Sequence, residues 1–81
     1  MNIVVPESAW EGVEENAEGL IDHWLVEEGE RVEAGHSLAL IVIVKASFEL
    51  PAPASGVVER ILVGNEKTFR REQALAVLRE D

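Results

Sequence analysis

The second half of this sequence repeats the first half at a constant offset of 37 residues, and the match from residues 19–41 to residues 56–78 needs no gap. A chain with two matched halves is predicted to fold as two related layers about a pseudo-twofold axis. We therefore expect one domain, residues 1–81, built from two intertwined sheets. The identical pairs are Gly19 and Gly56, Leu25 and Leu62, Val26 and Val63, Leu38 and Leu75, and Ala39 and Ala76.

Short apolar runs separated by turn residues predict that both halves consist of β-strands. Several short strands spaced about 8–12 residues apart are typical of an all-β sandwich or barrel. In the second run, Ile21, Trp24 and Val26 do not alternate strictly, which predicts a β-bulge near His23. Gly29 is expected to adopt a positive φ in the next turn. The predicted strands cover residues 2–5, 19–26, 31–32, 37–44, 46–50, 56–63, 68–69 and 74–78.

One lysine lies between the two runs that form the most apolar predicted hairpin. Lys45 is the only Lys or Arg between Arg31 and Arg60, and the two residues after it, Ala46 and Ser47, are small. A strand, a tight turn and a returning strand place this side chain at the hairpin tip with its amine in water. Lysine amines in water are almost wholly protonated at neutral pH. The lysine is therefore not a self-activated nucleophile.

The acidic residues are concentrated in the first half of the chain. The net charge is −9, and residues 1–40 carry ten acidic residues against one basic residue, whereas residues 41–81 carry six of each. An acidic chain repels phosphate backbones, so no nucleic-acid partner is expected. The charge serves either solubility or the steering of a basic partner.

The segment of residues 7–18 contains five glutamates and is predicted to be a loop outside the core. Trp10 within it is interpreted either as an anchor of the loop or as a contact for a partner. Lys67, Arg70 and Arg71 in the second half are interpreted as a solvated basic face.

The composition excludes several kinds of site. There is no Cys, so disulfides, thiolate metal centres and a redox dithiol of the protein itself are excluded. The two histidines are too isolated for a metal site, and no Ser-His-Asp set or phosphate loop is present, so a free-standing enzyme is not expected. No apolar run approaches the roughly 20 residues that cross a bilayer. There is also no signal-peptide pattern, and the cytoplasm is the expected compartment.

Short motifs follow one another in a fixed order through residues 2–78. Gly29 lies sixteen residues before Lys45, and Gly56 lies eleven residues after it. This ordered set resembles the lipoyl domain of 2-oxo acid dehydrogenase complexes, in the biotinyl/lipoyl carrier family. The motifs are Gly19-Leu20-Ile21 with Trp24-Leu25-Val26, Gly29-Glu30-Arg31-Val32-Glu33-Ala34-Gly35, Leu38-Ala39-Leu40-Ile41, Lys45-Ala46, Glu49-Leu50-Pro51-Ala52-Pro53 and Gly56-Val57-Val58.

The resemblance implies a flattened barrel of two small antiparallel sheets, with lipoate attached to the ε-amine of Lys45. It implies a swinging-arm carrier that shuttles acyl groups and reducing equivalents within a 2-oxo acid (or acetoin-type) dehydrogenase complex. The implied partners are a lipoate ligase or lipoyl transferase, a thiamine-diphosphate-dependent dehydrogenase, an acyltransferase and a flavin-dependent dihydrolipoyl dehydrogenase.

The sequence departs from the family pattern beside the lysine. The family's Glu-Thr-Asp is replaced by Val42-Ile43-Val44, which makes the solvent side of the hairpin apolar and marks a possible contact surface. In the second half, Glu66 replaces the usual Gly of the turn. The residues expected to be recognised by a ligase or partner are Val44, Ala46, Trp10, Glu7, Gly29 and Gly56.

Two other functions stay open at the level of the sequence. The first is a biotin carrier, with biotin bound covalently to Lys45. Biotin domains place Met on both sides of the lysine, whereas here the neighbours are Val44 and Ala46, and only Ala46 matches the lipoyl pattern. The second is an unmodified interaction module that uses the apolar hairpin and the acidic loop.

Overall fold

The computed structural model of the protein covers residues 1–81 and consists of two four-stranded antiparallel sheets. The first sheet has the strand order β5-β4-β2-β7, and the second has the order β1-β8-β6-β3. One 3-10 helix spans Glu7–Trp10, and no helix is long and apolar enough to cross a membrane. The strands are β1 (Asn2–Ile3), β2 (Gly19–Trp24), β3 (Arg31–Val32), β4 (Ser37–Ile43), β5 (Ala46–Pro51), β6 (Gly56–Ile61), β7 (Thr68–Phe69) and β8 (Ala76–Glu80).

The two sheets have equivalent topologies, as the internal repeat predicts. Strand β2 pairs with β4 and β7, while β6, which lies 37 residues later, pairs with β8 and β3. The register shifts at equivalent places, between Ile21 and His23 in β2 and between Val58 and Arg60 in β6. The all-β fold of two small antiparallel sheets and the bulge near His23 are therefore confirmed.

The core lies between the sheets and draws on both halves of the repeat. It contains 18 buried hydrophobic residues and no buried polar or charged residue. Leu38 and its repeat partner Leu75 are fully buried, as are Ala39 and Ala76. These identities of the repeat are therefore residues of a core that is packed twice in the same way.

Equivalent turns also share an unusual backbone conformation. Gly29 has a φ of 89° and Gly35 a φ of 86°, which confirms the positive φ predicted for Gly29. The residues 37 positions later are Glu66 and Glu72, with φ of 63° and 67°. The second copy of the turns thus holds glutamate in a region that favours glycine.

Several strand ends differ from the predicted ones. The first strand ends at Ile3 rather than at residue 5, and the last spans Ala76–Glu80 rather than residues 74–78. Leu75 lies just before the last strand, where its N–H donates to the carbonyl of Ile3 (2.8 Å) and its own carbonyl accepts from Leu62 at 2.9 Å. The strand instead extends to Glu80, which pairs with Gly56.

The prediction that residues 7–18 lie outside the core is wrong. Trp10 is only 2% exposed and belongs to the core, and Val13 packs against it. The glutamates of the segment remain at the surface while its one large aromatic ring fills the edge of the core. The acidic composition of the segment hid this role.

Candidate functional site

Lys45 lies at the tip of the β4–β5 hairpin. Ile43 pairs with Ala46, so the connection consists of only two residues, Val44 and Lys45. Lys45 is exposed, and none of the four ion pairs in the structure involves it. The structure confirms the predicted tip and presents a free primary amine to solvent.

Val44, the first residue of this connection, has a φ of 58°. Lys45 is not among the residues with a positive φ, so the pattern is that of a type II′ turn, whose first position normally holds Gly. A β-branched residue is a conformational outlier there. Because Val44 is also 64% exposed, its side chain lies in solvent directly beside the lysine.

The surroundings of the lysine are small on one side and apolar on the other. Ala46 and Ser47 are exposed and short, so they leave the amine accessible. On the outer face of the sheet, Val42 pairs across the strands with Leu20 and Ser47, and both apolar side chains are half-buried. Val44 and Val42 therefore form the apolar solvent face that the sequence predicts.

The acidic loop, residues 7–18, packs at the same end of the sheet as the lysine. Gly19 pairs with Ile43, the residue before the hairpin connection, and the Phe69 ring occupies the space that a side chain on Gly19 would need. Phe69 in turn packs against Trp10 in a T-shaped arrangement, with ring centroids 5.9 Å apart. A continuous set of contacts thus links the hairpin to the loop.

Arg71, which we predicted to be solvated, fastens this loop. Its guanidinium lies 5.3 Å from the centroid of the Trp10 ring and donates to the carbonyl of Val13 at 3.0 Å and that of Trp10 at 3.5 Å. The side chain is half-buried, so the prediction of a solvated basic face is wrong for this residue. No local sequence pattern signals the contact, because its partners are 58 and 61 residues away.

Only some of the predicted recognition residues lie together. Val44 and Ala46 flank the lysine, and Glu7 is exposed at the start of the 3-10 helix. Gly29 and Gly56 instead contact the second sheet. The N–H of Gly29 donates to the carbonyl of Val58 at 2.6 Å, and Gly56 is buried against the backbone of Arg79. Trp10 is the anchor rather than the exposed contact.

Comparison with known proteins identifies the family of this hairpin domain. Residues 5–78 match the sequence model of the biotin/lipoyl attachment family, whose description is "Biotin-requiring enzyme". The chain is also similar to the dihydrolipoyllysine-residue acetyltransferase components of two pyruvate dehydrogenase complexes. It is 46% identical to that of Pseudomonas aeruginosa over 46 residues and 49% identical to that of Azotobacter vinelandii over 39 residues.

The similarity to these two relatives is local. It covers 57% and 48% of this chain, but only 8% and 6% of the respective relatives. A solved structure extends the likeness to the whole fold. The lipoyl domain of the 2-oxoglutarate dehydrogenase complex of Azotobacter vinelandii matches with a TM-score of 0.78 and 26% identity, over 99% of this chain and 96% of that domain.

The two-sheet fold with an exposed lysine on its hairpin tip defines the class of biotinyl/lipoyl-type domains. The chain belongs to the biotin/lipoyl attachment family and is a lipoyl domain homologous to the acyltransferase components of 2-oxo acid dehydrogenase complexes.

Proposed function

We propose that this domain is lipoylated on Lys45 and acts as a swinging-arm carrier in a 2-oxo acid (or acetoin-type) dehydrogenase complex. The observation that carries the proposal is the free amine of Lys45 at the tip of a two-residue hairpin. The names of the two similar acetyltransferases refer to a dihydrolipoyllysine residue, which favours lipoate over biotin.

The residues around Lys45 suit a covalent group on its amine. The side chains after it are short, and no ion pair holds the amine against the surface. The paired strands on both sides fix the position of the amine, so a ligase orders little of the chain when it binds. Lipoate, when attached, supplies redox and acyl-transfer chemistry, while the hairpin holds its point of attachment in solvent.

The tether explains the proposed role in a complex. A group attached to Lys45 meets each active site at an effective concentration that reaches millimolar for short flexible tethers. The proposed partners are a lipoate ligase or transferase, and then the thiamine-diphosphate-dependent dehydrogenase, acyltransferase and flavin-dependent dihydrolipoyl dehydrogenase of the complex.

Intact-mass measurement tests the proposal with a matched control in the same chain. The sequence contains only one other lysine, Lys67, which is also exposed and lies in a turn. After expression with lipoate, biotin and the corresponding ligases, we expect the mass of one lipoyl group on the wild type and on Lys67→Arg. We expect no added mass on Lys45→Arg.

Other outcomes contradict the proposal in distinct ways. A biotin adduct on Lys45 would identify a biotin carrier. A chain that stays unmodified with every ligase would favour an interaction module.

A further inference from the structure

A groove lies between the start of the acidic loop, with the two residues before it, and the lysine hairpin. It has a volume of about 240 Å³. Apolar groups line most of it, and Ser8 and Glu49 add polar groups. The apolar lining consists of Val5, Pro6 and Ala9 from the first segment of the chain, and Ile41, Phe48 and Pro51 from the hairpin.

The groove is open because β5 is the edge strand of its sheet. Phe48 pairs with Ile41 on the face that carries the buried Ile43 and Leu50, yet Phe48 itself is only half-buried. No strand lies beyond β5 to cover it. The loop segment approaches from that side without closing the gap.

We propose that this groove binds the acyl arm carried by Lys45, so that the arm rests on its own domain between encounters with enzymes. This inference rests on the proposed lipoylation. The occupant is an uncharged aliphatic chain of eight carbons that ends in a disulfide ring, which matches the apolar lining.

The length of the arm places its end at the groove. Phe48 is three residues along an extended strand from Lys45, a distance of about 10 Å. A lysine side chain, its amide and the acyl chain up to the first ring carbon make about eleven bonds, which span roughly 14 Å at about 1.3 Å per bond. The arm therefore passes the exposed Ala46 and reaches the groove with its far half.

The size of the groove also fits. An apolar cavity of about 150 Å³ is enough to hold a benzene ring, so 240 Å³ accommodates a five-membered ring and several methylenes. The apolar outer face beside Val42 is the competing resting place. That face contacts a chain from one side only, whereas the groove contacts it from both the loop and the strand and removes more of it from water.

Nuclear magnetic resonance on the whole chain tests the proposal. In the lipoylated protein we expect nuclear Overhauser contacts from the methylenes of the arm to the Phe48 ring and the Ala9 methyl. Ser8→Phe fills the groove from an exposed position and should abolish these contacts. Asn16→Phe adds the same ring to an exposed position of the same loop outside the groove and should leave them intact.

A second variant guards against a fold defect in Ser8→Phe. Pro51→Glu places a charge on the opposite wall at an exposed position and should also abolish the contacts. Contacts that involve only Val44 and Ala46, or that involve Val42, would overturn the proposal. So would contacts that survive both Ser8→Phe and Pro51→Glu.

A chemical arm separates this proposal from the proposed function. The chain has no cysteine, so Lys45→Cys gives a single thiol that a maleimide with an eight-carbon chain alkylates. If this arm contacts Phe48 while no ligase lipoylates the wild type, the groove binds such an arm but the proposed function is refuted. If the wild type is lipoylated but its arm makes no contact with the groove, only the proposal that the groove binds the arm is refuted.

Discussion

Val44 is the residue at which the demands of the fold and of the lysine site meet. It occupies the position before Lys45 and is exposed on the hairpin tip. Its positive φ places a β-branched side chain where an L-residue meets its own backbone, at a cost of roughly 1–2 kcal/mol. A side chain kept at such a cost on the surface contributes nothing to the core, which is consistent with a role in recognition.

The first prediction is that Val44→Asn stabilises the domain by about 1 kcal/mol. Asn tolerates the left-handed region and, unlike Gly, adds little freedom to the unfolded chain. Urea denaturation should show a higher midpoint with an unchanged slope. The control is Val42→Asn, which puts a polar side chain at a half-buried strand position and should destabilise the fold. Equal losses in both variants would show that Val44 is not strained.

At the scale of the elements, the repeated turns explain how one strand arrangement is built twice. Gly29 and Gly35 take the left-handed conformation in the first half, and Glu66 and Glu72 take it in the second. The turn at Glu66 is held by the bond between its N–H and the carbonyl of Ile21 (2.7 Å), the counterpart of the bond from Gly29 to Val58 in the first half. Contacts between the sheets thus override the preference of the residue.

The second prediction concerns these turns. Glu66→Gly and Glu72→Gly should each stabilise the domain by about 0.5–1 kcal/mol, because relief of the strain exceeds the entropy that Gly adds to the unfolded chain. The matched variants Gly29→Ala and Gly35→Ala should destabilise it by about 1 kcal/mol. No atom lies within 4 Å of a side chain added at either glycine, so that loss reports conformation alone. Thermal unfolding of the four variants would contradict this account if the two pairs changed in the same direction.

The third prediction is that Arg71 holds the acidic loop in place. Arg71→Met keeps most of the volume but removes the cation–π contact with Trp10 and the bond to Val13. We expect a loss of about 1–3 kcal/mol and faster amide hydrogen exchange in residues 11–18. Arg70→Met is the control, since Arg70 is exposed and lies 3.8 Å from Glu18 in a weak surface pair. Indistinguishable exchange in the two variants would refute the role of Arg71.

The sequence predicted the strands and the hairpin because they depend on local patterns of apolar, small and turn residues. Gly29 and the bulge near His23 could be placed for the same reason. The choice between an anchor and an exposed contact for Trp10, and the role of Arg71, could not be predicted, because they depend on a contact between residues about 60 positions apart in the sequence. The groove beside Phe48 arises in the same way, from the approach of a loop to an edge strand.

At the scale of the whole molecule, the lysine and the chain termini lie on different sheets. Lys45 follows β4 of the first sheet, and the equivalent position after β8 of the second sheet is the end of the chain. The terminal amine of Met1 donates to the carbonyl of Leu78 at 2.6 Å, so both termini lie at this one place. A chain attached at either end therefore leaves the sheet that does not carry the lysine.

The fourth prediction concerns the excess of acidic residues, which makes the folded state repel itself. The molecule is 35 Å long. At 10 mM salt the screening length is about 30 Å, and at 150 mM it falls to about 8 Å. Raising the salt over this range should raise Tm by a few degrees, or roughly 0.5–1 kcal/mol. The four ion pairs that salt would weaken are all exposed and contribute little.

Single charge removals make this prediction specific. Glu14→Gln removes an exposed charge that has no ion-pair partner and should raise Tm at low salt. Glu33→Gln removes the same charge from a carboxylate whose pKa is held below its usual value by hydrogen bonds from Arg31 and Ser55. The stability that these hydrogen bonds give to the ionised Glu33 is present at neutral pH and is lost as the pH falls through the lowered pKa. Glu33→Gln should therefore raise Tm less than Glu14→Gln does at pH 7, and equal rises in the two variants would show that only the total charge matters.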